Sequence, residues 1–198
     1  MEKKSFKDIF EFDLLKLSDE GRFLAGKRGD TKFMDVTDKV VGKPIISIGL
    51  KSQYLYIDNG EFKATPLKQQ FTTEEKLKYK SLGGKNRRYR MIYVPTLKLV
   101  YVFTYTNGVA ESFYAASVGI SDAFKIVGIE KRPTMKNKNK STKMGVKFYA
   151  PVLEKLSIKD VTLDQEDKAT IARLKEYFEP YKPVTETTTV TATDDVPF

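Results

Sequence analysis

Leu97-Lys98-Leu99-Val100-Tyr101-Val102-Phe103-Thr104-Tyr105-Thr106 is the stretch on which the fold turns. It is dense in β-branched and aromatic residues, and alternation divides it cleanly. Leu97, Leu99, Tyr101, Phe103 and Tyr105 take one face; Lys98, Val100, Val102, Thr104 and Thr106 take the other. Asn107-Gly108 follows, a strong hairpin signal, so residues 109–118 are expected to return as the next strand, with Phe113 and Tyr114 on opposite sides. Before it, residues 87–94 read as a strand that stops at Pro95. There Tyr89, Met91 and Tyr93 share a face, opposite Arg88, Arg90, Ile92 and Val94.

Working outward, residues 44–50 and 53–58 are short runs of β-formers closed by the turn signal Asp58-Asn59-Gly60. Residues 124–130 and 145–153 form a further pair, joined by a long polar connection from Lys131 to Met144. Such a connection in a compact domain is usually functional or disordered. Residues 6–17 lean towards strand, and 21–41 read as loop with short strands. Helix signals gather near the C-terminal end. Asp164 caps a helix over 165–179, with Glu166 and Asp167 in its first turn, Pro180 beyond it, and Ile171, Leu174, Tyr177 and Phe178 on one face. The expected fold is therefore mainly β, an OB-fold-like β-barrel over residues 1–182, with a C-terminal amphipathic helix. From Pro183 the chain turns polar and Thr-rich, a disordered linker carrying an acidic end over 183–198.

Composition removes whole classes of chemistry. The 198 residues contain no Cys and no His, so there is no thiolate nucleophile, no Cys-ligated zinc and no Ser-His-Asp triad. No run approaches the length of a membrane span, and the opening Met1-Glu2-Lys3-Lys4 does not lead into a signal-peptide core. A cytoplasmic protein with no membrane partner is expected. Residues 21–27 match a phosphate-binding loop as far as Lys27, but Arg28 stands where Ser or Thr should hold magnesium, and no apolar strand runs into Gly21. The carboxylates of the basic middle form no spaced cluster of the kind two-metal enzymes need. No catalytic residue, metal site or cofactor is expected.

The net charge is +9, and it belongs to the middle of the chain. Residues 39–150 hold 21 basic and 7 acidic side chains, whereas 183–198 hold three acids and no base. Two acid-free stretches concentrate the excess: Lys76, Lys78, Lys80, Lys85, Arg87, Arg88 and Arg90, and then Lys131, Arg132, Lys136, Lys138, Lys140, Lys143 and Lys147. Concentrated like charge destabilises the compact state, and a polyanion relieves it while releasing counterions. Tyr89, Tyr93, Tyr101 and Tyr105 lie beside these arginines, and proteins that hold single strands combine a basic groove with rings on which bases stack. Lys85, Arg87, Arg88, Arg90 and the residues of the second stretch are thus expected along the phosphates, with the four tyrosines under the bases.

The chain ends Asp194-Asp195-Val196-Pro197-Phe198. This ending resembles the tail tip of bacterial single-stranded DNA-binding proteins and many phage counterparts, which close with acids, an aliphatic residue, Pro and a terminal Phe. The family's usual core sequence is not found in residues 1–182, so the resemblance rests on the tail. It implies a protein that coats single-stranded DNA in replication, recombination or repair, largely regardless of sequence. It also implies that Asp194, Asp195, Val196, Pro197 and Phe198 recruit replication and repair proteins and fold back over the DNA-binding groove. Its place would be the bacterial cytoplasm, the host's if phage-encoded. A strand-annealing or RNA-binding protein, or a virion or scaffold protein binding nucleic acid incidentally, would use the same charge, and homo-oligomerisation stays open.

Overall fold

The computed structural model describes residues 8–133 and 147–178. After a 3-10 turn at Ile9–Glu11, the chain runs β1 (Asp13–Leu17), β2 (Phe23–Gly26), β3 (Met34–Asp35), α1 (Thr37–Val40), β4 (Pro44–Asp58), β5 (Glu61–Ala64) and α2 (Thr73–Ser81). It continues through β6 (Lys85–Val94), β7 (Leu99–Tyr105), α3 (Asn107–Ala115), β8 (Ala123–Pro133), β9 (Lys147–Leu156) and α4 (Gln165–Lys175). The strands form one sheet in the order β3-β2-β1-β7-β6-β4-β8-β9, with β5 pairing β4 off that path. β1 and β7 are parallel, and the other pairs are antiparallel. The protein is mainly β, but the expected barrel does not close. β3 and β9 stand at opposite ends of an open mixed sheet.

β4 organises the sheet. The two runs expected over 44–50 and 53–58 are one fifteen-residue strand. Lys51 and Ser52, polar enough to suggest a break, sit mid-ladder opposite Tyr89 and Arg88. One edge of β4 pairs β6. The other pairs β8 over Pro44, Ile45 and Ile46, and β5 from Leu55 to Asp58. The turn expected at Asp58-Asn59-Gly60 is present and closes a hairpin between β4 and β5, with Asn59 and Gly60 both at positive φ, as a tight hairpin turn requires. The pair expected across the second basic stretch is present as β8 and β9, and its last rung is Pro133 opposite Lys147.

The hairpin expected at Asn107-Gly108 is absent. Residues from Asn107 to Ala115 form a helix, because β7 has no edge to offer a partner: β6 occupies one side and parallel β1 the other. The segment suits the alternative. Val109, Ala110 and Phe113 fall on one helical stripe and bury it, while Glu111 and Tyr114 stay outside. Gly108 allows close entry, since a Cβ there would come within 2.8 Å of the Phe148 ring on β9.

Two cores lie on opposite faces of the sheet. The alternation read for β6 and β7 holds: Ile92, Val94, Tyr101, Phe103 and Tyr105 join Phe113 and Phe124 in the cluster under α3. Tyr89, Met91, Tyr93 and Val102 join Ile171 and Leu174 in the cluster under α4. α4 begins as expected. Asp164 and Asp167 form a reciprocal capping box, satisfying two backbone donors of the first turn.

Candidate nucleic-acid interface

The first basic stretch divides between α2 and β6. Thr72 and Glu75 close a capping box at the start of α2, the Thr-x-x-Glu signature of a helix start that precedes Lys76, Lys78 and Lys80. The helix buries no residue fully. It is tied to the sheet by Tyr79, whose ring lies 5.2 Å from those of both Tyr54 and Tyr56. α2 and α3 therefore stand on the same face of the sheet, and a cleft of about 670 Å³ opens between them. Lys76, Lys80, Lys85 and Arg88 line it, and its far wall is Thr106 and Gly108 at the start of α3.

No described carboxylate lines this cleft, nor does one pair with Arg87 beside it. Among the described residues, Lys76, Lys80, Lys85, Arg87 and Arg88 form no ion pair with a carboxylate. α3 has no acid in its first turn, and no side chain caps it at Thr106. Its first amides and the positive end of its dipole add to the field of the cations. Asn86 on the same wall has a buried Oδ1 with no partner.

Part of the second stretch reaches the same place. Lys131 lies 5.4 Å over the Tyr149 ring, and Arg132 pairs with Glu130. Phe148, packed on Gly108, follows Lys147 directly, so β9 enters its strand beside the first turn of α3. A second hollow there is lined by Lys16, Asp19, Arg87, Thr106, Phe148 and Tyr149, so one carboxylate stands among its cations. Lys136, Lys138, Lys140 and Lys143 lie outside the described residues, as does the tip from Asp194 to Phe198.

The tyrosines correct the expected base platform. Tyr89, Tyr93, Tyr101 and Tyr105 are each 5% exposed or less. Tyr89 and Tyr93 also point to the opposite face from Tyr101 and Tyr105, so the four cannot share one surface. Three of the phenols are used internally. Gln53 Nε2 donates to the Tyr89 hydroxyl at 2.7 Å, Tyr93 donates to Asp167 at 2.6 Å, and Arg90 Nε donates to the Tyr105 hydroxyl at 3.1 Å. Burial raises the Tyr89 and Tyr101 pKa values above the ordinary phenol value.

Arg90 is likewise withdrawn from any phosphate. It is 4% exposed, lies 4.1 Å over the Phe113 ring, and donates through Nη1 to Ser47 Oγ and to the Gly119 carbonyl. Of the expected residues, the cleft and the adjoining hollow collect Lys85, Arg87 and Arg88. They add Lys76 and Lys80, which belonged to the same acid-free run but were not singled out. The Thr72-x-x-Glu75 pattern could have placed both on a helix.

Among the described residues no group of His, Cys, Asp or Glu is placed to hold a metal ion, and no helix is long and apolar enough to cross a membrane. The apparent phosphate-loop spacing falls on β2, a strand paired with β1 and β3. Comparison with protein-family models, curated proteins and solved structures finds no match.

Proposed function

We propose that the protein binds single-stranded DNA without enzymatic activity and with little sequence preference, its phosphates following the cleft between α2 and α3. The observation that carries this is the convergence of Lys76, Lys80, Lys85 and Arg88, which form no ion pair among the described residues, with the uncapped start of α3. Phosphates are the ligand such a field favours, and their counterions leave on binding. An OB-like barrel is not required: an open sheet flanked by two helices presents the same chemistry. The end of the chain, Asp194-Asp195-Val196-Pro197-Phe198, serves as the partner-recruiting tip, its acids complementary to a basic rim and its Phe an apolar anchor. Fluorescence anisotropy on labelled oligo-dT, with duplex DNA and single-stranded RNA as competitors, tests the function. Tight binding to dT that duplex and RNA displace poorly supports it; absence of binding at 50 mM salt refutes it.

A further inference from the structure

With Tyr89, Tyr93, Tyr101 and Tyr105 inside, the expected platform is gone, and one stretch of the sheet is covered by none of the described residues. Tyr54 and Tyr56 on β4 face α2, so alternation sends Leu55 and Ile57 to the opposite face. Register completes that face. Ile57 stands opposite Phe62, and Leu55 lies between Ala64 on β5 and Lys85 on β6. Gln53 stands opposite Arg87 one row further along. Among the described residues, α4 and the N-terminal aromatic residues cover this face only as far as Tyr89.

Beyond that point Ile57 is 62% exposed and Phe62 is 71% exposed, the highest exposure of any large apolar side chain described. They border a hollow of about 510 Å³ whose other walls include Lys85, Arg87 and Thr106. The surface pairs an exposed ring and an aliphatic shelf with two cations. Among the described residues it has no carboxylate: Asp58 and Glu61 form the next rung of the hairpin and point to the other face, where both approach Lys63. An apolar patch flanked only by positive charge is complementary to a nucleotide, whose base is flat and apolar and whose phosphate is anionic.

We infer that Phe62 is a base-stacking residue. A nucleobase lies on its ring against Ile57, and the adjoining phosphates are held by Lys85 and Arg87, which lead into the cleft between α2 and α3. The inference rests on the function proposed above and names the surface that receives the bases. Stacking of one base is worth enough that Phe62→Ala weakens oligo-dT binding about tenfold. Its exposure means the substitution leaves the fold intact.

The chain has no Trp, so Phe62→Trp makes a single-tryptophan protein whose emission reports directly on stacking. Three titrations decide the matter. The first is wild type beside Phe62→Ala on labelled oligo-dT by anisotropy. The second is Phe62→Trp by fluorescence, with oligo-dT and with an abasic strand of equal length. The third is Ile158→Trp, placed at another exposed position, as a control. Quenching of Phe62→Trp by oligo-dT, little by the abasic strand and little for Ile158→Trp, supports the subsite. Binding of oligo-dT by anisotropy with no quenching at position 62, or undiminished affinity in Phe62→Ala, overturns it while leaving the proposed function standing. Failure of wild type to bind oligo-dT removes both.

Discussion

The Tyr93 hydroxyl donates to Asp167 Oδ1 across 2.6 Å, joining the middle of β6 to the first turn of α4. Lys98 Nζ donates to the same oxygen at 2.7 Å, and Asp167 Oδ2 accepts from the Asp164 amide. Burial opposes ionisation of Asp167, yet these hydrogen bonds outweigh it and hold its pKa down at about 2. Burial, followed by the bond to the carboxylate, pushes Tyr93 up to about 12.

The signs of these shifts set two pH windows. A depressed carboxyl contributes stability that is complete above its unfolded value of about 4 and is lost as the pH falls towards 2. A raised phenol contributes stability that is complete below about 10 and is lost as the pH rises towards 12. Urea unfolding of wild type and Asp167→Asn should therefore differ most near neutrality, and the gap should narrow between about pH 4 and pH 2. A gap of constant size across that range contradicts the assignment.

Arg90 is expected to matter for stability and not for DNA. Arg90→Ala strands the Tyr105 and Ser47 hydroxyls and the Gly119 carbonyl and uncovers Phe113, a loss of about 3 kcal/mol by urea unfolding. The salt dependence of oligo-dT binding should stay that of wild type.

α2 depends on its cap more than on its core. Thr72→Ala removes the acceptor of the Glu75 amide and should cost about 1 kcal/mol. Because the helix buries no residue fully, the loss should be local. Hydrogen exchange of α2 amides should accelerate while β6 and β7 remain protected, and oligo-dT binding should weaken as Lys76 and Lys80 lose their positions.

Much of the sheet was legible because alternation is local. The faces of β6 and β7, the Asn59-Gly60 turn, the β8–β9 pair and the Asp164 cap each follow from a few neighbouring residues. What failed was non-local. Asn107-Gly108 promises a hairpin only if the strand before it has a free edge, and parallel β1, arriving from far upstream with Asp13 opposite Tyr101, removes that edge. The tyrosines failed for the same reason. Beside Arg87 and Arg88 they read as a surface, and only the layers of α3 and α4 on either face show that they are interior. The most exposed ring described is instead Phe62, on a four-residue strand unremarkable in composition.

The acidic end of the chain opposes the charge of the cleft. Deleting residues 184–198 should raise affinity for oligo-dT at low salt, with the gain fading as salt screens the competition. Unchanged affinity at low salt removes the competitive role of the tail.

The most direct measurement is the salt dependence of oligo-dT binding for wild type beside the triple substitution Lys80→Ala, Lys85→Ala and Arg88→Ala. Each cation that meets a phosphate contributes about 0.7 to the slope of log affinity against log salt. The variant should keep wild-type unfolding behaviour and show a slope shallower by about 2. A triple variant with the wild-type slope would place the phosphates elsewhere and contradict the cleft between α2 and α3 as the interface.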